Sequence, residues 1–144
     1  MPAMHDGTLL AFDYGTKKIG VAIGNTLTRQ ARPLDILFPV TRVQRFAAIE
    51  KLLQDWQPDK VIVGLPLATD GQEQYASLRC RRFANQLQGR FGVETVLVDE
   101  RGSSVEAQQM LGNNEADDAV AAAIILRRYL DGLASADTTR SNPL

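Results

Sequence analysis

The chain has 144 residues, 44% of them hydrophobic and 23% charged, which predicts one soluble globular domain spanning 1–144 with a core over about residues 8–131. A net charge of −1 argues against a constitutive nucleic-acid coat protein and allows an enzyme that meets nucleic acid through a local basic patch. Cys80 is the lone cysteine and His5 the lone histidine, which excludes an intrachain disulfide, a cysteine-based zinc site and a histidine-based triad. The longest apolar run, Ala119 to Leu126, is too short to span a bilayer, and the opening MPAMHDGTLL lacks the basic start and apolar core of a secretory signal. A reducing cytoplasm, with no membrane partner, is the expected setting.

In chain order, Thr8 to Asp13 reads as a buried strand, and Lys18 to Gly24 alternates Ile19, Val21 and Ile23 on one face. The intervening Tyr14 to Lys17 is short enough for a hairpin turn, with Gly15 available for positive φ. A third strand is expected over Leu34 to Val40, its flanking Pro33 and Pro39 suiting a strand end or an edge. Phe46, Ile49, Leu53 and Trp56, spaced by three and four, predict an amphipathic helix over Arg42–Trp56 that ends before Pro58. Lys60 to Leu65 is a β-branched strand, and Asp70-Gly71 marks a turn. Ala76, Cys80, Phe83, Leu87 and Phe91 line one face of a long helix closed by Gly92, and Val93 to Val98 is the next strand. Ser103-x-x-Glu106 is a capping-box pattern for a short helix stopping at Gly112-Asn113, and a final helix is expected from about Asp117 to Asp131. The residues up to position 6 and the polar tail from Ala134 are expected to fray. Three adjacent strands followed by alternating helices and strands imply a mixed sheet with helices on its faces.

Three acidic positions carry the chemistry. Asp13 ends an apolar strand, Asp99-Glu100 ends another, and Asp117-Asp118 opens the last helix. A carboxylate beside the core is unfavourable unless it is paired, hydrogen-bonded or bound to metal. Each acid alone has an ordinary reading: a turn residue for Asp13, a helix cap for Asp117 or Asp118, an ion pair with Arg101 for Asp99 or Glu100. Acids from separate elements that converge on one sheet edge point to an all-oxygen site for a hard ion, Mg²⁺ or Mn²⁺, the equipment of phosphoryl chemistry. The basic residues are grouped: Lys17 and Lys18 in a turn, Arg42 and Arg45 on a helix, Arg79, Arg81 and Arg82 on the next, and Arg127 with Arg128. Trp56, Tyr75, Phe83 and Tyr129 read as core or half-buried packing at helical spacing, and Cys80 as an inert core residue.

The segments LLAFDYGTKKIGVAIG, VIVGLPL with Asp70-Gly71, FGVETVLVDERGSS and DDAVAAAIIL together resemble the YqgF family. Its members are ribonuclease-H-like, Holliday-junction-resolvase-like proteins described as nucleases that mature the 16S ribosomal RNA precursor. The resemblance implies a ribonuclease-H-like α/β fold, a mixed five-stranded sheet with helices on both faces. It implies a metal-dependent endonuclease with Asp13, Glu100 and Asp118 as catalytic residues and as ligands of Mg²⁺ or Mn²⁺. Lys17 and Arg101 fall where the family has basic residues able to contact substrate. The implied partner is nucleic acid, RNA ahead of DNA, with pre-ribosomal particles as the setting. Alternatives are a DNA junction resolvase and a non-catalytic nucleic-acid- or ribosome-binding module; an actin-like ATPase, which shares the opening DxG pattern, would need a second enclosing domain. Gly102 and Ala68 depart from the family pattern, and the Gly112 to Ala116 link is shorter than the family's polar, Lys-rich loop.

Overall fold

The computed structural model describes residues 7–15, 17–39, 41–68, 70–99 and 118–141, the last of these with side chains to residue 133. Within them lie strands β1 (Thr8–Tyr14), β2 (Ile19–Asn25) and β3 (Gln30–Leu37), helix α1 (Arg42–Trp56), β4 (Lys60–Leu65), α2 (Tyr75–Phe91), β5 (Glu94–Asp99) and α3 (Asp118–Ser141). The five strands form one mixed sheet in the order β3-β2-β1-β4-β5. β1–β2 and β2–β3 pair antiparallel, whereas β1–β4 and β4–β5 pair parallel. The mixed five-stranded sheet expected from the sequence is therefore present.

Strand alternation assigns the two faces. Leu10, Phe12, Ile19, Val21, Ile23, Val61, Val63 and Leu65 share one face, packed by Phe46 and Ile49 of α1 and by Cys80, Phe83, Ala84 and Leu87 of α2. The opposite face carries Leu9, Ala11, Ala22 and Ile62 under Ala122, Ala123, Ile125, Leu126 and Leu130 of α3. Helices thus cover both faces, and the apolar stripe of α3 meets the sheet as its spacing predicts.

Local chemistry sets the boundaries. Thr41 caps α1: its Oγ1 accepts from the Gln44 N–H at 3.1 Å, while the Gln44 Oε1 accepts from the Thr41 N–H at 3.3 Å. Gln57 ends α1 in the left-handed region, with φ of 45°, ahead of Pro58. Gly92 does the same for α2, with φ of 66° and its N–H bonded to the Gln88 carbonyl at 3.0 Å. Ser77, fully buried, donates its hydroxyl to the Pro66 carbonyl and accepts from the Gln74 N–H, tying the start of α2 to the end of β4. At the Asp70-Gly71 turn, the Asp70 carboxylate accepts from the Gln72 N–H at 3.0 Å and Gly71 takes φ of 88°.

Several expectations need correction. β3 begins at Gln30, and Pro33 lies inside it rather than beside it. Proline is tolerated there because β3 is an edge strand whose register shifts opposite Val21 and Ala22. Gly15 does not take positive φ. Its lack of a Cβ instead permits close approach, since a Cβ there would lie 2.7 Å from the Lys18 carbonyl oxygen. Ala76 is exposed, and the buried stripe of α2 opens at Ser77. Tyr75 is 77% exposed and belongs to no core. The tail does not fray at Ala134, because α3 continues to Ser141. Past Gly132 no glycine or proline interrupts it until Pro143. The helix expected over 103–112 and the 112–116 link lie outside the described residues.

Candidate active site

The site forms where β1 ends and α3 begins. Asp13 pairs with Gly20 across the β1–β2 ladder, so both project toward α3. Gly20 is what lets α3 come down at that point. A Cβ on it would sit 2.0 Å from the Asp118 carbonyl oxygen, a distance no side chain survives. Backbone therefore meets backbone at Gly20, and the first residue of α3 arrives beside the last acidic residue of β1. Gly24, two steps along the same face, admits the Leu126 side chain, whose Cδ2 would lie 2.8 Å from a Cβ built there. Asp13 and Asp118 line one cleft together with Gly15, Lys17 and Lys18.

Electrostatics in the cleft are mixed. Lys18 Nζ lies 3.3 Å from Asp118 Oδ2, with the lysine side chain half exposed and the aspartate 24% exposed. That contact is one of charge only. The Oδ2 atom is buried and has no hydrogen-bond partner among the described residues. A buried carboxylate oxygen without a hydrogen bond is destabilising by about 1–3 kcal/mol, and a half-exposed lysine returns roughly 1 kcal/mol or less. Two aspartate side chains in one cleft, one with an unsatisfied oxygen, form the kind of hard-oxygen donor set that suits Mg²⁺ or Mn²⁺ rather than zinc.

Of the residues expected from the sequence, Asp13, Lys17 and Asp118 are brought together. Glu100, Arg101, Gly102 and Asp117 lie outside the described residues. Among the described residues no group of three or more acids, histidines or cysteines gathers in metal-holding geometry. Asp99 follows the alternation of Leu97, which packs in the α1–α2 core, and so shares the face opposite Asp13. Its carbonyl accepts from Arg128 Nη1 at 3.1 Å, which pins the end of β5 to α3. Lys18 was noticed in the sequence only as a turn residue. Its pairing with Asp118 follows from the register at Gly20, which composition does not encode.

This mixed sheet with helices on both faces is the ribonuclease-H-like fold, and solved structures agree. RuvC of Thermus thermophilus, solved with a Holliday junction substrate, superposes with a TM-score of 0.56 at 18% identity, covering 88% of this chain and 95% of that one. The Fowlpox virus resolvase superposes with a TM-score of 0.57 at 14% identity, covering 88% and 98%. Residues 7–132 match the family model described as RuvX, Holliday junction resolvase, and the chain belongs to that family. A relative from Bordetella parapertussis, named "Putative pre-16S rRNA nuclease", is 70% identical over 130 residues, covering 90% of this chain and 98% of its own. A relative of the same name from Paraburkholderia phytofirmans is 53% identical over 137 residues, covering 92% and 94%. No helix among the described residues is long and apolar enough to cross a membrane.

Proposed function

We propose that this chain is a divalent-metal-dependent endonuclease that hydrolyses RNA phosphodiesters, with the 16S ribosomal RNA precursor, and the pre-ribosomal particle that carries it, as substrate. The carrying observation is the pairing of Asp13 and Asp118 in one cleft flanked by Lys17 and Lys18, with Asp118 Oδ2 buried and lacking a hydrogen bond. The names of relatives at 50–70% identity support RNA as the substrate class, and family membership supports a nuclease acting on nucleic acid.

Asp13 and Asp118 would hold Mg²⁺ or Mn²⁺, with Glu100 as the third ligand. Glu100 is assigned that role by the match of its Asp-Glu-Arg segment to the family pattern and by a carboxylate being a hard-oxygen donor. When bound, such an ion neutralises charge on the scissile phosphate and lowers the pKa of the attacking water. The side chains of this chain do the rest. Lys17, exposed at the mouth of the cleft, draws in the phosphate. Lys18 offsets the charge of Asp118, so the two acids can sit close together before substrate arrives. Arg101, beside Glu100 in the chain, would supply a further cation for the same phosphate backbone. No histidine is needed for this chemistry, and there is none among the described residues.

The test is cleavage of end-labelled precursor-type RNA, with a four-way DNA junction assayed in parallel, in Mg²⁺ or Mn²⁺ against EDTA. Cleavage of RNA by wild type, lost by about 100-fold or more in Asp13→Asn with the fold kept, is the expected outcome. A variant as fast as wild type removes the metal mechanism. Preference for the junction would favour the DNA-resolvase reading that the family description carries, and binding without cleavage would leave a non-catalytic module.

A further inference from the structure

A second cleft lies on the other face of the sheet, one residue away from Asp13. It is lined by Tyr14 at the end of β1, by Arg42 and Arg45 of α1, and by Tyr75, Arg79 and Arg82 of α2. Each arginine pair is spaced by three, which puts both members on one side of their helix. Four guanidinium groups therefore face one another across the cleft, in a chain whose net charge is −1. No carboxylate lines the cleft, and among the described residues none of the four arginines has an ion-pair partner. Gathering like charges in this way opposes folding unless an anion is to be received.

Three observations narrow the anion. Arg45 Nε is buried without a hydrogen-bond partner among the described residues, a desolvated donor at the cleft wall. Guanidinium planes are held against rings: Arg45 lies 5.3 Å and Arg79 5.6 Å from the Tyr14 centroid, and Arg79 lies 6.0 Å from that of Tyr75. A guanidinium over a ring gains cation–π attraction and keeps N–H donors for phosphate oxygens. Tyr75 is 77% exposed, so its ring contributes to no core and offers a free face. Arginines that track a backbone, interleaved with an exposed aromatic ring, are the equipment for a single nucleic-acid strand: phosphates on the cations, a base on the ring. Continuity supports the same occupant. Tyr14 adjoins Asp13 at the end of β1, so a strand that rounds the end of β1 passes from the catalytic cleft to the arginine cleft.

We propose that the α1–α2 cleft binds a single strand of the nucleic acid being cut, with its phosphates on Arg42, Arg45, Arg79 and Arg82 and a base stacked on Tyr75. This rests on the nuclease reading above. Binding is therefore measured apart from cleavage, with the full chain in EDTA, by fluorescence anisotropy of a labelled 20-nucleotide single-stranded RNA over a range of salt. Four phosphate contacts predict a slope of log K against log salt of about −2.8. The Arg79→Ala/Arg82→Ala protein should bind about tenfold more weakly, with a slope shallower by about 1.4. Tyr75→Ala should weaken RNA binding by about fivefold or more and Tyr75→Phe should restore it, while binding of inorganic polyphosphate, which has no base to stack, should fall less than RNA binding in Tyr75→Ala. Circular dichroism confirms that each variant is folded. Unchanged affinity and slope in the double-arginine protein overturn the proposal, and so does a perfect RNA duplex bound as tightly as the single strand. An equal loss of polyphosphate and RNA binding in Tyr75→Ala overturns the stacking role. Failure of cleavage alongside intact, arginine-dependent binding would count against the metal site and leave this cleft standing.

Discussion

The two faces of the sheet are built on opposite terms. At the Asp13 end of the α3 face the strands present Gly20 and Ala22 and α3 answers with Ala119, Ala122 and Ala123, so backbones approach one another there, while Leu9, Ile62, Leu126 and Leu130 fill the rest of that face. Under α1 and α2 the strands present Phe12 and Tyr14, which meet Phe83 edge-on at 5.9 Å and stacked at 4.2 Å. Close backbone approach brings one aspartate from a strand and one from a helix into a shared cleft. Large rings pack the opposite face, and beside Tyr14 the arginines of α1 and α2 line a second cleft. Each face thus gets its chemistry from its packing: tight contact concentrates acids, and the aromatic face gathers bases.

Substitutions can break this contrast. Phe83→Ala should have the largest effect, destabilising the fold by about 4 kcal/mol in urea unfolding, because it empties the centre of the aromatic face. Gly20→Ala comes next. The added Cβ must displace the start of α3, with an expected loss of about 3 kcal/mol, and cleavage should fall further than stability explains, since Asp118 moves away from Asp13. A Gly20→Ala protein with wild-type stability would mean the approach is looser than the contact implies. Gly89→Ala is the matched control on an exposed turn of α2, where an added Cβ meets nothing within 4 Å. There stability should rise by about 0.5–1 kcal/mol.

The smallest effect is expected midway along α3, where Lys60 Nζ donates to the Tyr129 hydroxyl at 3.3 Å and lies 3.4 Å from Glu94. The hydrogen bond to Tyr129, ahead of the charge of Glu94, raises the pKa of Lys60 above its ordinary 10.5. The folded state binds that proton more tightly than the unfolded chain, so its contribution is fully present below pH 10.5 and is lost as pH rises through the folded value. Tyr129→Phe should therefore lower stability by roughly 0.3 kcal/mol near neutral pH, and thermal melts of the two proteins should converge at strongly alkaline pH.

Much of this was legible in the sequence where one local signal sufficed. The bounds of α1 and β4 and the Gly92 stop of α2 follow from periodicity and capping chemistry. Position β3 was misjudged because Gln30, Ala31 and Arg32 have little strand character; pairing with β2 recruits them regardless. Asp118 could be found from the helical period of α3, since its stripe dictates which side meets the sheet. Lys18 could not, because its contact depends on register. Tyr75 misled because an aromatic near a helix start resembles core; it lies two residues ahead of Ser77, about 200° around the helix from the buried stripe. The arginine cleft was legible only as scattered pairs, since nothing local says that two helices will turn them toward each other.

The irregular outer strand has a consequence for the fate of the molecule at high concentration. An exposed sheet margin is a template on which another chain can add, and a flat one seeds aggregation. Along β3, Pro33 offers no N–H, Leu34 is skipped by the ladder between Pro33 and Asp35, and Arg32 and Asp35 place opposite charges on the rim. A second copy trying to extend the sheet would meet a missing donor, a bend and a desolvation penalty within four residues. The same proline that looked like a boundary in the sequence acts as a guard against self-association along the margin of β3.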